Sequence, residues 1–379
     1  MAEAYIVGAV RTAVGKRNGG LSGVHPVDMA AHVLAGLVGR TGVDPAAVDD
    51  VVMGCVSQIG PQTMDIARQA WLSAGLPEQV PGVTVDRQCG SSQQAVHFAA
   101  QAVLSGTQDL VVAAGVESMS QVPMGSSAAL PMNLGLPYGE GWKKRYGEQE
   151  ISQFRGAQMM CEKWGISRGE LEDFALESHA RAVRAIDEGR FTSQITELAG
   201  LATDEGPRRD TSKEKMAGLA PLREGWELTA ATASQISDGS AALLIASGEA
   251  VQRHGLTPSA RIHTLAVTGA DPVMMLAGPI PATGQALAKG KLEIGDIDVF
   301  EVNEAFAPVL IAWSRETGAS LGKTNPNGGA IALGHPLGAT GAILMTKLVH
   351  ELARTGGRYG LQTMCEGGGQ ANATIIERV

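Results

Sequence analysis

The sequence predicts an α/β fold, and two observations carry that prediction. Short apolar β-type runs alternate with helical patterns at both ends of the chain, and the order of these runs is the same in the two end zones. In residues 1 to about 118, the runs Ala4–Val10, Val51–Cys55 and Leu110–Ala114 alternate with helical patterns at Val27–Gly39 and Ser92–Leu104. Residues 119–236 read differently, with Met, Pro, Gly and charge intermixed. One long amphipathic helix is expected there, near Ser167–Gly189, with Ser167 as N-cap and Glu170 three residues on as its capping-box partner. From about 237 the alternation resumes and continues to Val379.

The two end zones look like copies of one plan. In the first, Cys89 precedes a helix, followed by Gly106, the strand Leu110–Ala114 and Glu117. In the second, His335 precedes the helix Gly341–Leu352, followed by Gly357, the strand Tyr359–Met364 and Glu366. An earlier strand also corresponds, Val51–Cys55 in one and Ile297–Val302 in the other. Order and spacing therefore point to a duplicated unit, although literal identity is low.

Bulk composition limits the function classes. The 379 residues are 44% apolar and 18% charged, enough for a large core and too apolar for a disordered chain. A net charge of −9 gives no general attraction for nucleic acid or anionic membrane, so an anionic ligand needs a local basic patch. No apolar run approaches the ~20 residues of a bilayer span, and no signal-type segment opens the chain. A cytoplasmic location is the resulting expectation. Cys55, Cys89, Cys161 and Cys365 are widely spaced without a C-x-x-C pair, which argues against a zinc or redox motif and for reduced thiols.

Four positions could carry chemistry. Cys89 ends the β-type run VPGVTVDRQ and opens a helix, where the macrodipole and free N–H groups favour thiolate. By itself it is equally a buried structural cysteine. His335 lies in NPNGGAIALGHPLGATGA, framed by glycines and a proline at the position matching Cys89. Near a helix start its neutral form is favoured, as a general base requires. Cys365 begins CEGGGQ, whose glycines suit close backbone approach or N–H donation to an oxyanion, or simply a turn. Asn303, in EVNEAFAP just past an apolar strand, could orient a water or cap the helix expected near Ala305. Two decoys fail. Gly322-Lys323-Thr324 lacks the earlier glycine of a phosphate loop, since Thr317 stands there, and neither glycine run has the context of a dinucleotide site.

Cys89 in its strand-to-helix turn, NEAFA at 303–307, NPNGGAIALGHPLGATG at 325–341 and CEGGG at 365–369 together resemble the thiolase family, in order and in spacing. The resemblance spans essentially the whole chain, including ARQAWLSAGLP at 67–77 and GISRGELEDFALESHARA at 165–182. It implies a layered α-β-α-β-α fold of two pseudo-repeated halves: an N-terminal core of residues 1–118 and 237–258, a CoA-binding loop domain at 119–236, and a C-terminal core at 259–379. It also implies roles. Cys89 would take the acyl group, and His335 would activate it and help bind the thioester oxygen. Cys365 would be the second acid/base, and Asn303 would hold a water in the oxyanion site shared with His335. The N–H groups of Cys89 and Gly367 would form a second oxyanion hole. Ser234 would contact pantetheine and Arg208 the nucleotide phosphates, with Arg209, Lys213 and Lys215 nearby. No metal or permanent cofactor is implied; coenzyme A and acyl-CoA are substrates, and the chain would be a homodimer or homotetramer.

Some positions depart from the family pattern. Asp86 stands where Asn is common, Ser92 where Gly is frequent, and Phe154-Arg155 where short-chain synthetic members have His–Met. Ala231-Thr232-Ala233-Ser234-Gln235 replaces a Gly-Asn-Ala-Ser-Gly pattern. These put simple acetoacetyl-CoA specificity in question and favour a degradative enzyme releasing acetyl-CoA or propionyl-CoA. DRQCGSSQQA is also similar to a subgroup associated with steroid or other ring breakdown. The alternatives are the biosynthetic condensation of two acetyl-CoA and a non-catalytic acyl-CoA or sterol carrier. The carrier predicts loss of Cys89, His335 or Cys365, and all three are present. A decarboxylating ketosynthase would not need the second cysteine, and a cysteine hydrolase leaves CEGGG unexplained.

Overall fold

Each half of the chain builds its sheet by the same rule. In the computed structural model, which describes residues 3–127 and 137–379, the first half supplies β1 (Ala4–Arg11), β2 (Gly15–Lys16), β3 (Asp50–Gly54), β4 (Gly82–Val85), β5 (Leu110–Ser118) and β6 (Ser237–Ser247). The second supplies β7 (Ala260–Gly269), β8 (Val299–Val302), β9 (Tyr359–Glu366) and β10 (Gln370–Arg378). The strand order is β4-β3-β5-β6-β1-β7-β10-β9-β8, with β2 added to β6. Read from either edge, a parallel pair (β3/β5 or β8/β9) is followed by two antiparallel ones. A parallel bridge from Phe300 to Thr324 lies where β4 lies in the first half. The two halves of the sheet join through Tyr5↔Arg261 and Ile6↔Ala260. This is the duplication expected from the sequence.

Strands β5 and β6 are buried on both faces, which is why LVVAAGV and SAALLIA read as continuous apolar runs rather than alternating ones. β1, β5 and β9 run past the expected C-terminal ends, to Arg11, Ser118 and Glu366. β5 continues through polar Glu117 and Ser118 because buried partners take those groups, Gln62 Oε1 accepting the Ser118 N–H at 2.7 Å.

Helices flank and separate the sheet halves. In the first half α1 (Pro26–Thr41) starts on Pro at its first turn and stops at left-handed Gly42; α2 (Ile66–Ser73) and α3 (Ser91–Ser105) follow. The region 119–236 contains α4 (Glu140–Tyr146), α5 (Gln153–Trp164), α6 (Arg168–Asp187) and α7 (Lys213–Ala217), and none of its described residues joins a named strand. The capping box of Ser167 and Glu170 at the start of α6 is formed as expected. A buried ion pair ties this region to the sheet: Arg11 at the end of β1 meets Asp204 through two hydrogen bonds of 2.6 and 2.9 Å. The second half adds α8 (Gly248–Arg253), α9 (Pro279–Gly290), α10 (Ala307–Thr317), α11 (Ala330–Leu333) and α12 (Thr340–Thr355).

Two of these helices lie between the sheet halves. α3 packs on β3, β5 and β6, while its Gln93 Nε2 reaches Thr374 Oγ1 of β10 at 2.8 Å. α12 packs on β6, β8, β9 and on α3 itself. The two cross where Gly341 meets Gln93: a Cβ at 341 would collide with the Gln93 backbone N and stand 2.8 Å from its Cβ. Ala342 N–H also donates to Ser92 Oγ at 2.9 Å, so serine at 92 bonds the partner helix. Gly341→Ala is expected to lower unfolding stability by about 1–3 kcal/mol, as overpacking of a closed contact does. A urea midpoint equal to that of the parent would show that the crossing can relax.

Candidate active site

Cys89 sits in a tight turn between β4 and α3. Gln88 before it has φ +49°, an uncommon conformation for a residue with a side chain. Asp86 holds that turn, accepting from the Gln88 backbone N–H at 2.6 Å and from its Nε2 at 3.2 Å. An amide oxygen could accept the same two bonds; what the acid adds is a second acceptor, Oδ2, which takes Gln88 Nε2 at 3.2 Å. Ser91 Oγ closes it from the other side, accepting from Arg87 N at 2.9 Å.

The electrostatics of Cys89 differ from the expectation. A helix start is expected to lower the thiol; instead its pKa is pushed up to about 12, first by burial and then by the Glu366 carboxyl. The N–H groups of Cys89 itself and of Gly367 act in the opposite sense. α3 begins at Ser91 with Gly90 as N-cap, so the sulfur lies outside the first helical turn, and withdrawal from water outweighs the dipole. Both N–H groups named for an oxyanion hole therefore act on this sulfur. A thiol held this high needs a base to remove its proton.

His335 can be that base. The imidazole is buried, and burial alone depresses its pKa to about 4, so it is neutral near pH 7. The helix dipole expected to favour that state is not adjacent, since a short turn at Leu337–Ala339 precedes α12. Its tautomer follows from Thr340. The Thr340 hydroxyl donates to the Pro336 carbonyl at 2.9 Å, so its oxygen is left to accept from His335 Nδ1 at 2.6 Å. The proton is then on Nδ1 and the lone pair on Nε2, where Asn303 Nδ2 approaches at 3.4 Å. Asn303 does not cap a helix: α10 begins at Ala307 behind Phe306. Its buried Oδ1 has no protein partner among the described residues.

Cys365 lies in β9, buried, with its thiol raised well above its ordinary value by burial, by Cys89 and by Glu366. The influence of Cys89 on the Cys365 thiol brings the two sulfurs near one another. The sequence did not flag the groups that hold this site's loops. Glu304 accepts from Ser178 Oγ (2.6 Å), Asn325 Nδ2 (2.9 Å) and Ile331 N (3.1 Å), binding NEAFA to NPNGG. Any Cβ at Gly329 would collide with that carboxylate, which explains one glycine of the motif. Glu117, at the end of β5, accepts from Val56 N, Ser57 N, Gln62 Nε2 and Gly338 N, fixing the turn after His335.

A cleft in the 119–236 region is lined by His179, Arg208, Lys215, Leu219, Ala231 and Gln235 among others. Arg208 is held by its backbone N–H on His179 Nδ1 at 3.1 Å. Of the basic neighbours, Arg209 pairs with Asp187, Lys213 with Asp173 and Lys215 with Asp210. Ser234 is half-buried beside the cleft, its N–H donating to Ala305 O at 2.9 Å next to NEAFA.

Replacing Thr340 by Val removes the acceptor that sets the His335 tautomer. Alkylation of Cys89 by iodoacetamide near pH 7 is expected to slow by about tenfold, from the ~1–3 kcal/mol of a buried hydrogen bond left unmade. An unchanged rate would show that His335 does not serve Cys89 through Nε2.

The comparisons with known proteins point to one family. The thiolase N-terminal domain model matches residues 4–249 and the thiolase C-terminal domain model residues 256–378. A steroid 3-ketoacyl-CoA thiolase from Mycobacterium tuberculosis is 60% identical over 100% of this chain and 95% of its own length. Among solved structures, the acetyl-CoA acetyltransferase of Bacillus anthracis superposes with a TM-score of 0.91 at 39% identity, covering 100% of this chain and 99% of that one. Human mitochondrial 3-ketoacyl-CoA thiolase does so with 0.91 at 35%, with the same coverage. With both domain models matched and close relatives over its full length, the chain belongs to the thiolase family.

Proposed function

We propose that this chain is an acyltransferase that cleaves a 3-ketoacyl-CoA by thiolysis, with Cys89 carrying the acyl group between two half-reactions. The observation that supports this most is the surroundings of the Cys89 sulfur: two backbone N–H groups, of Cys89 and Gly367, and a second buried thiol, Cys365.

His335 Nε2 takes the Cys89 proton, and the thiolate attacks the 3-keto carbon. The Cys89 and Gly367 N–H groups receive the resulting oxyanion. The bond between C2 and C3 breaks, and its electron pair passes into the enolate of acetyl-CoA. Protonated His335, with a water held by Asn303, stabilises that oxygen. The Cys365 thiol protonates the α-carbon, and acetyl-CoA leaves. A new CoA gives its thiol proton to the Cys365 thiolate and attacks the acyl-cysteine, while His335 returns its proton to Cys89. The raised pKa of Cys365 suits both tasks, since it remains a thiol until the enolate forms and is then a strong base.

CoA is read into the cleft of Arg208, with Ser234 toward the pantetheine. Support comes from the ion pairs of Arg209, Lys213 and Lys215, which leave Arg208 as the candidate for phosphate. The same reading assigns residues 1–118 with 237–258, 119–236 and 259–379 to N-terminal core, loop and C-terminal core. A ring-bearing acyl group is favoured by DRQCGSSQQA and by the named activity of the 60% identical relative. Phe154, standing where short-chain synthetic members carry His, packs edge-on against Phe306 of NEAFA, ring centroids 5.4 Å apart. The reverse condensation of two acetyl-CoA uses the same groups, and the names of the relatives favour cleavage. A homodimer or higher homo-oligomer is supported by the outer edge of β4, unpaired among the described residues and bearing exposed Val83, and by exposed Met64 and Leu72 just before and within α2. A cytoplasmic location suits four free cysteines.

Incubation with 3-ketoacyl-CoA substrates of graded chain length and ring content should leave an acyl adduct on Cys89 by intact-protein mass. Cys89→Ala should form none, and Cys365→Ala should retain acylation by an activated acyl-CoA while losing thiolysis. If the wild type forms no adduct while binding CoA normally, the carrier alternative replaces this reading. Arg208→Ala should raise the KM for CoA several-fold with little change in kcat; a change confined to kcat would remove Arg208 from the CoA site.

A further inference from the structure

Glu366 closes β9 fully buried, and neither of its carboxylate oxygens has a hydrogen-bond partner among the described residues. Its counterpart in the first half, Glu117, is just as buried but accepts four hydrogen bonds of 2.9–3.1 Å. One copy of the duplicated carboxylate is saturated with donors, and the other has none. A buried carboxylate without donors is strongly disfavoured, whereas a carboxylic acid needs only an acceptor.

The acceptor is beside it. A Cβ placed on Gly90 would collide with Glu366 Oε1 and lie 2.7 Å from Asn372 Oδ1, so both oxygens face the same point next to Cys89. The Asn372 amide is oriented by its own Nδ2, which donates to Gln94 Oε1 at 3.1 Å. That leaves Oδ1 buried and without a partner. Two acceptor oxygens turned to one spot call for a proton between them.

We propose that Glu366 is held as a neutral carboxylic acid whose O–H donates to Asn372 Oδ1, and that as a positioning residue it keeps negative charge away from the Cys89 thiolate and its oxyanion site. This rests on the thiolysis reading for its catalytic consequence. The charged and titratable groups around it are few. The turn before α3 brings Asp86, Arg87 and Cys89; α3 brings His97, kept neutral by burial; its own strand brings Cys365; and the facing part of β10, Gln370–Thr374, has no charged residue. Arg87, engaged with Gln370 Oε1 at 2.8 Å, and the Asn372 N–H draw the carboxyl toward ionisation without closing a hydrogen bond to it. Burial outweighs them and raises its pKa to about 8. Below that value the acid is neutral. As pH rises through it, a carboxylate appears beside two thiols whose pKa values it raises, so thiolate formation and acylation are opposed on the alkaline side.

The test is the single-turnover acylation of Cys89 by a 3-ketoacyl-CoA, followed by intact mass across pH, in the wild type, Glu366→Gln and Asn372→Ala. The wild-type rate should fall by up to about tenfold one unit above the carboxyl pKa. Glu366→Gln should still acylate at neutral pH and lack the descending limb. Asn372→Ala, which removes the acceptor for the acid, should move the descent to lower pH. A parallel series with iodoacetamide should show Cys89 of wild type and Glu366→Gln reacting alike below the carboxyl pKa, with Glu366→Gln reacting faster above it. Profiles that superimpose at every pH, or that already differ well below the carboxyl pKa, would overturn the proposal. Should the ketoacyl-CoA leave no adduct on the wild type, the thiolysis reading falls, and the alkylation series still decides the state of Glu366.

Discussion

The crossing of α3 and α12 is the contact on which the rest of the molecule depends. Each half delivers its chemistry on the segment leading into its central helix, Cys89 before α3 and His335 before α12. Neither segment is useful alone. The two segments are brought toward each other because Gly341 lets the helices meet closely and because Ser92 bonds across the crossing. Glu117 then fastens the turn after His335 to the loop after β3, so the segment carrying His335 is held by the first half's strand end.

Within that site, burial sets the division of labour. It raises both thiols and depresses the imidazole, so all three groups are neutral at rest. A nucleophile poised as a free thiolate would be exposed to adventitious chemistry. In the mechanism proposed above, its proton leaves to His335, whose free nitrogen is fixed by Thr340. The N–H groups of Cys89 and Gly367, proposed above as oxyanion donors, act on the same sulfur, so in that mechanism stabilisation is available where charge develops.

Much of this was legible in the sequence, for reasons that differ by residue. The α/β alternation, the duplication and the Ser167 capping box could be read because periodicity and caps are local properties. His335 and Cys365 stood out by their glycine-dense turns, Cys89 by its place between a strand and a helix, and Asn303 by its place just past an apolar strand. What could not be read depended on distant partners. The local rule for a thiol at a helix start pointed Cys89 downward, while Glu366 and desolvation, supplied by another part of the chain, pushed it up. Thr340 gave no signal of its own, since only its bond to Pro336 O makes it an acceptor for His335. Glu304 looked like half of a polar pair, and its role emerged only with Ser178, Asn325 and Ile331 around it.

The placement of β6 bears on how the chain reaches this state. Leu110–Ser118 pairs with Ala246–Asp238 along nine residues, yet the whole 119–236 region separates the two strands in sequence. β1 pairs with β6 as well, so the first half's sheet has no centre until that late strand arrives. The second half, by contrast, is contiguous from β7 to β10 and its pairings are more local. During synthesis the earlier-made half must therefore wait, with apolar strands uncovered, for a long excursion to be completed, and such non-local closure is slow and prone to association. The first half can close its sheet only once Ser247 has been made, just before the first strand of the second half follows at Ala260.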